Sequence, residues 1–240
     1  MSLHEVLHTK DEELSNVMKI SICLRLARIL NTLHNLVPPM PHGSLTSHNI
    51  FFDLNFDGDA MKQYKLYLAE IELNDFKKYA NMFASYRNIS VWSSPECLKQ
   101  PRKRLDPTPE MDVYSFGMLM WQIFYSCVPF DGDLKECTNY VVNSDSRPKI
   151  DVAGVAEMER DEASKLLDSS DGDVTVSERL ANIIRNCWQN EPRDRLKMGV
   201  VCEMLLEELK EELASKETSI LMEEMGEQMN SFNKINRTSS

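Results

Sequence analysis

The chain has 240 residues, 42% hydrophobic and 27% charged, with a formal net charge of −11. That length and balance fit one globular domain with a sizeable core, and the acidic excess argues against a nucleic-acid or anionic-membrane surface. No run approaches the roughly 18 apolar residues of a membrane span, and no basic-then-apolar secretion signal follows Met1. Six cysteines (Cys23, Cys97, Cys127, Cys137, Cys187, Cys202) stand singly, without metal-site spacing. Reduced thiols in a cytoplasmic protein with no metal centre are the expectation.

Along the chain, Ser15 opens a helical segment to about Asn35, with Ile20, Cys23, Leu24, Ala27, Leu30 and His34 at spacings of three and four. Pro38-Pro39 ends it, and the loop His42-Gly43-Ser44-Leu45-Thr46-Ser47-His48-Asn49 follows. Ile50-Phe51-Phe52 and Lys65-Leu66-Tyr67-Leu68 read as two short strands of a hairpin. Its loop, Asp53 to Asp59, matches the opening of a calcium loop, but the twelfth position is Tyr64 rather than a glutamate. A β-turn at Asp57-Gly58 explains it just as well.

The basic run Arg102-Lys103-Arg104 reads as an exposed loop. Thr108-Pro109-Glu110 combines a cap, a proline at the first helical position and an acid in the positive first turn. It launches a buried helix to about Ser126. Residues 151–178 hold nine acids against Arg160 and Lys165, an expected exposed insertion. Ser177 caps a helix carrying Leu180, Ile183, Ile184 and Trp188. A last helix runs from Met198 to about Leu213, followed by Met222, Met225, Met229 and Phe232 at helical spacing, a partner-binding or packing stripe. The tail Asn233–Ser240 is polar and expected to fray.

Six segments together resemble a known family. His42 to Asn49 has the frame of the protein-kinase catalytic loop, H-R-D-L-x-x-x-N. Leu68-Ala69-Glu70-Ile71-Glu72-Leu73 is similar to the strand and D-F-G motif, and Trp92-Ser93-Ser94-Pro95-Glu96 to the A-P-E end of an activation segment. Asp112-Val113-Tyr114-Ser115-Phe116-Gly117 resembles the start of the central helix of the C-terminal lobe. Val128-Pro129-Phe130 and Cys187-Trp188-Gln189-Asn190-Glu191-Pro192-Arg193-Asp194-Arg195 match the segments after that helix and near the domain's end.

The order holds over roughly residues 3–208, with 209–240 left as a helical or disordered tail. The resemblance implies a mainly α fold, the kinase C-lobe with its small β-hairpin. Ser2 to Leu7 reads like the stretch just after the hinge, and the chain has no glycine-rich loop or β3 lysine, so the N-lobe is expected to be absent. The tyrosine-kinase-like group fits best. Mixed-lineage kinase domain-like pseudokinases, integrin-linked-kinase-type domains and the kinase-homology domains of guanylyl cyclases share its features.

Those correspondences imply roles. Ser44 stands at the catalytic-base position, where a hydroxyl cannot remove a proton at neutral pH, a loss of about 10²–10⁴-fold. Thr46 replaces the base that steadies the transferring phosphate. Asn49 and Glu70 take the magnesium positions, but glutamate moves its oxygen by about 1.5 Å relative to aspartate, and magnesium tolerates that poorly. ATP with magnesium is therefore expected to bind weakly or not at all, and no cofactor is required.

His42, Glu96, Asp112 and Arg195 match structural residues: Glu96 with Arg195 as a buried ion pair, and Asp112 as acceptor for the loop near His42. Gly43 replaces the phosphate-reading arginine, so control through Tyr79, Ser85 or Tyr86 is not expected. Two readings follow: a pseudokinase acting on protein partners (an active kinase or a signalling scaffold), or a piece of a longer kinase that binds ATP with residual phosphotransfer. A third, a regulatory domain beside another catalytic domain, stays open.

Overall fold

In a computed structural model of the chain, residues 1–9, 14–54, 64–69, 89–103, 105–153 and 174–238 are described, with backbone alone at 53, 54, 64 and 220–238. The described elements are helical apart from one hairpin and isolated bridges. Helix α1 (Leu3–His8) starts in a capping box: the Ser2 hydroxyl accepts from the Glu5 amide while Glu5 accepts from the Ser2 amide. Helix α2 (Asn16–His34) is capped by Ser15 and stops at Asn35, before the two prolines. Its apolar stripe is buried, and Leu26, Ala27 and Leu30 are wholly enclosed.

Strands β1 (Ile50–Leu54) and β2 (Tyr64–Leu68) pair antiparallel with Ile50 opposite Leu68 and Phe52 opposite Leu66. After the short helix α3 (Pro95–Leu98), helix α4 (Pro109–Tyr125) passes through the middle of the molecule. Thr108 caps it, accepting from the Met111 amide, and every residue from Met111 to Tyr125 is buried. A helix this apolar on all faces is stable only when enclosed. Helix α5 (Leu134–Thr138) continues into a π-type turn, Asn139–Asn143.

Helix α6 (Glu178–Cys187), capped by Ser177, packs on α4, where Gly117 lets the two backbones approach; a Cβ there would lie 2.9 Å from Cys187 Cβ. Trp188, expected inside α6, is its C-cap instead. The Ser177 hydroxyl also donates to the buried Glu208, 2.6 Å, joining α6 to the last helix, α7 (Met198–Thr238). α7 packs along α2.

α7 corrects the reading of the C-terminus. It does not stop near Leu213 but runs unbroken for 41 residues, to Thr238, where fraying was expected. Residues 214–219 are exposed on all sides, so local propensity (Ala214, Lys216, Glu217) carries the helix past the apolar stripe. The side chains of Met222, Met225, Met229 and Phe232 lie outside the described residues. So do Glu70, Tyr79, Ser85, Tyr86, Arg104, most of the calcium-like loop and residues 154–173 of the acidic segment. That segment's ends are clasped together by a bridge between Val152 and Val176.

Candidate functional site

The site is organised around Asp112, a carboxylate on the first turn of α4 that is 1% exposed. Its Oδ2 accepts from the His42 amide at 2.6 Å and from His34 Nε2 at 2.9 Å, and its Oδ1 accepts from the Gly43 amide at 2.8 Å. A buried carboxylate is tolerated when its oxygens are filled in this way. The pairing holds the start of the loop against the central helix. Gly43 takes φ +79, a left-handed backbone that glycine adopts without strain.

His42 is fully buried and uses both ring nitrogens. Nε2 donates to the Ala69 carbonyl, 3.0 Å, while Nδ1 accepts from the Ser44 amide, 3.3 Å. Ala69 is thus tied at both ends, because its own amide donates to the Asn49 carbonyl at 2.9 Å. The hairpin therefore delivers the residue before Glu70 directly beside Asn49. Asn49 itself turns its side-chain amide inward, Nδ2 donating to the Ser44 carbonyl at 2.8 Å.

That leaves Asn49 Oδ1 as a single neutral oxygen. Magnesium takes octahedral sets of oxygens, several of them charged, and the described part of the site does not supply such a set. Among the described residues no three or more His, Cys, Asp or Glu side chains are placed to hold a metal ion. A cavity of about 20 Å³ beside Ser44, lined also by Thr46, Ser90, Ser93, Asp112 and Ser115, has room for about one water.

The activation-segment end is held separately. Arg195 has no exposed side-chain surface, and all five of its N–H donors are used. Nη1 and Nη2 reach the two Glu96 oxygens at 2.8 Å each. The remaining donors go to the carbonyls of Glu110 at 2.9 Å, Asn190 at 3.0 Å and Gln189 at 2.8 Å. Burial pushes the Glu96 carboxyl upward, but the hydrogen bonds and charge of Arg195 outweigh it and hold the group below its ordinary value.

Tyr114 lies beneath both Arg195 and Arg147, whose guanidinium carbons stand 5.2 and 5.4 Å from its ring centroid. Ser115 donates to the Trp92 carbonyl, 2.8 Å, and fixes the same segment to α4. The sequence reading missed three of these partners: His34, counted as part of an apolar stripe, and the cations over Tyr114. A histidine as the last residue of a helix was the only signal for the first; nothing in the spacing signalled the others.

The sequence profile of the protein tyrosine and serine/threonine kinase family matches residues 1–205. The chain belongs to that family. Within this kinase fold the described elements are those of the C-lobe. The chain is 28% identical over 211 residues to the serine/threonine-protein kinase CTR1 of Arabidopsis thaliana, covering 85% of this chain and 21% of that protein. It is 28% identical to ankyrin repeat and protein kinase domain-containing protein 1 of Mus musculus, covering 79% and 23%. Against guanylate cyclase 2G of Mus musculus the figures are 26% identity, 81% and 16%. The chain thus spans about a fifth of the length of these curated relatives. Among the described residues no helix is long and apolar enough to cross a membrane.

Proposed function

We propose that this kinase domain does not transfer phosphate and works as a pseudokinase, a protein-interaction or allosteric module in the cytoplasm. The observation that carries the reading is Ser44, which occupies the base position of a loop whose frame is otherwise intact. Its carbonyl accepts from Asn49 Nδ2, which leaves that asparagine a single neutral oxygen, Oδ1, to offer a cation. By contrast Asp112, Glu96 and Arg195 are fully engaged in holding the fold. Such a division supports a scaffold retained for shape. The partners would be proteins, an active kinase or a signalling scaffold, reached through the activation-segment face, the acidic segment or the Met-rich end of α7.

The test is phosphate transfer from labelled ATP with magnesium or manganese, to the chain itself and to a generic protein acceptor. No transfer above background is expected, and Ser44→Asp is expected not to create it. Transfer by the wild type that Asn49→Ala abolishes would overturn the proposal. A second reading, residual phosphotransfer within a longer polypeptide, draws on Asn49 at its family position. ATP-dependent thermal stabilisation of the chain that needs magnesium would favour it.

A further inference from the structure

Beside the catalytic loop lies a cluster that the family motifs do not account for. His4 and His8 sit one turn apart on α1, and His48 comes from the turn before Asn49. The His4 ring stacks on His48 with centroids 4.1 Å apart and meets His8 at 4.6 Å. His4 and His48 stack while His4 and His8 are tilted by 47°, and no metal-holding group is found among the described residues.

His8 is also the end of a hydrogen-bonded chain. Trp92 Nε1 donates to Gln122 Oε1 at 3.0 Å, and Gln122 Nε2 stands 3.0 Å from His8 Nε2. Gln122 is fully buried. An indole can only donate, so the amide oxygen must face Trp92 and the amide N–H₂ must face His8. His8 Nε2 is therefore required to accept. A protonated imidazole has donors on both nitrogens and would set N–H against N–H₂. Gln122 cannot relieve the clash by turning over, because that would set its N–H₂ against the indole N–H.

We infer that Trp92, Gln122 and His8 form a latch of fixed polarity that fastens α1 to the end of the activation segment while His8 is neutral, and that protonation of His8 opens it. The latch spans three elements distant in sequence: α1, α4 and the segment ending in Ser94. Because His8 is exposed, its ring can swing out to water once charged, leaving α1 without that tie.

The charged and titratable groups facing His8 among the described residues favour the neutral form. From α1 comes His4, and from the loop turn His48; α4 and the activation segment offer only Gln122 and Trp92, both neutral. Glu5 acts on His4 rather than His8 and is engaged with Ser2. Burial and then His48 hold His8 below its ordinary value of 6.5. With the folded value depressed, the latch is intact above about pH 6.5 and is lost as pH falls through the lower folded value.

The experiment is an NMR titration of the imidazole protons in the full chain, with His8 assigned by His8→Gln. In the wild type His8 is expected to titrate below 6.5. In Gln122→Glu a carboxylate accepts from both neighbours, so the His8 midpoint is expected to rise above 6.5. In Trp92→Phe the amide is free to turn, and the midpoint is expected to rise above that of the wild type. Trp92→Phe decides alone if Gln122→Glu does not fold.

Amide exchange, corrected for its intrinsic pH dependence, is expected to quicken in residues 3–8 and 90–94 together as the wild type is acidified from pH 7.5 to 5.5. His8→Gln, which keeps an acceptor, should remove that response. A His8 midpoint unmoved by Trp92→Phe, or acid loosening of α1 without residues 90–94, would overturn the inference.

Discussion

Two regions that touch in the fold, though 70 residues apart in sequence at their contact between His42 and Asp112, are built on opposite terms. In the frame, Asp112 takes three donors, Arg195 gives five, and both side chains are sealed from solvent. In the loop that the frame supports, the residues at the chemical positions are a serine with no base strength and an asparagine whose amide donates to that serine's carbonyl. The frame is costly to disturb because the buried oxygens of Asp112 and the five N–H donors of Arg195 all have specific partners. The loop positions carry little of the fold's stability. Substitutions should therefore separate the regions by size of effect.

The largest effect is expected at the ion pair. Arg195→Ala removes two charge-assisted contacts to Glu96 and leaves three carbonyls short of a donor. Breaking one side of a buried pair costs about 3–5 kcal/mol, read as a lowered midpoint in urea denaturation. A change below about 1 kcal/mol, the range of exposed pairs, would remove the contrast between the regions. Acid should act on the same pair from the other side. Glu96 is held below its ordinary value of 4.5, so its contribution is present above about 4.5 and is lost as pH falls through the lower folded value. The margin of wild type over Glu96→Gln should thus shrink as denaturation is repeated from pH 6 toward pH 3.

A smaller cost is expected where α4 meets α6. In Gly117→Ala the new methyl would stand 2.9 Å from Cys187 Cβ and 3.3 Å from the Trp188 amide nitrogen, neither of which can give way without moving backbone. Overpacking costs about 1–3 kcal/mol, against about 1 kcal/mol gained from replacing glycine in a helix. The net expectation is a loss of about 1 kcal/mol, with the helices pushed apart. A stabilised variant would show that the α4–α6 seam yields more readily than the ion-pair frame.

The frame was also the more legible region. Thr108-Pro109-Glu110 announces α4 because a cap, a fixed φ and a dipole-matched acid coincide in three residues. Ser15 and Ser177 mark their helices for the same local reason. The motif order placed Glu96 near Arg195 and Asp112 near His42, pairs 99 and 70 residues apart that no periodicity could join. What escaped were contacts set by three-dimensional packing alone: His34 on Asp112, two guanidiniums over Tyr114, and the Trp92–Gln122–His8 chain. The length of α7 escaped for a different reason. An apolar stripe reports burial, and α7 continues through residues 214–219, which bury nothing.

The smallest effect is expected in the loop itself, and there the two regions are most sharply distinguished. Asn49→Ala removes one hydrogen bond, from Nδ2 to the Ser44 carbonyl, in a half-buried position where water can take its place. The net worth of such a bond is about 0.5–1.5 kcal/mol, so denaturation should show a loss at the low end of that range. Thermal melts with ATP and magnesium should be shifted no differently in wild type and variant, because Asn49 offers a cation a single neutral oxygen and no charge. A nucleotide-dependent shift present in the wild type and absent from Asn49→Ala would assign Asn49 a role beyond its own loop. The residue would then belong with the functional groups of the domain, and the contrast between a maintained frame and an idle loop would fail at this position.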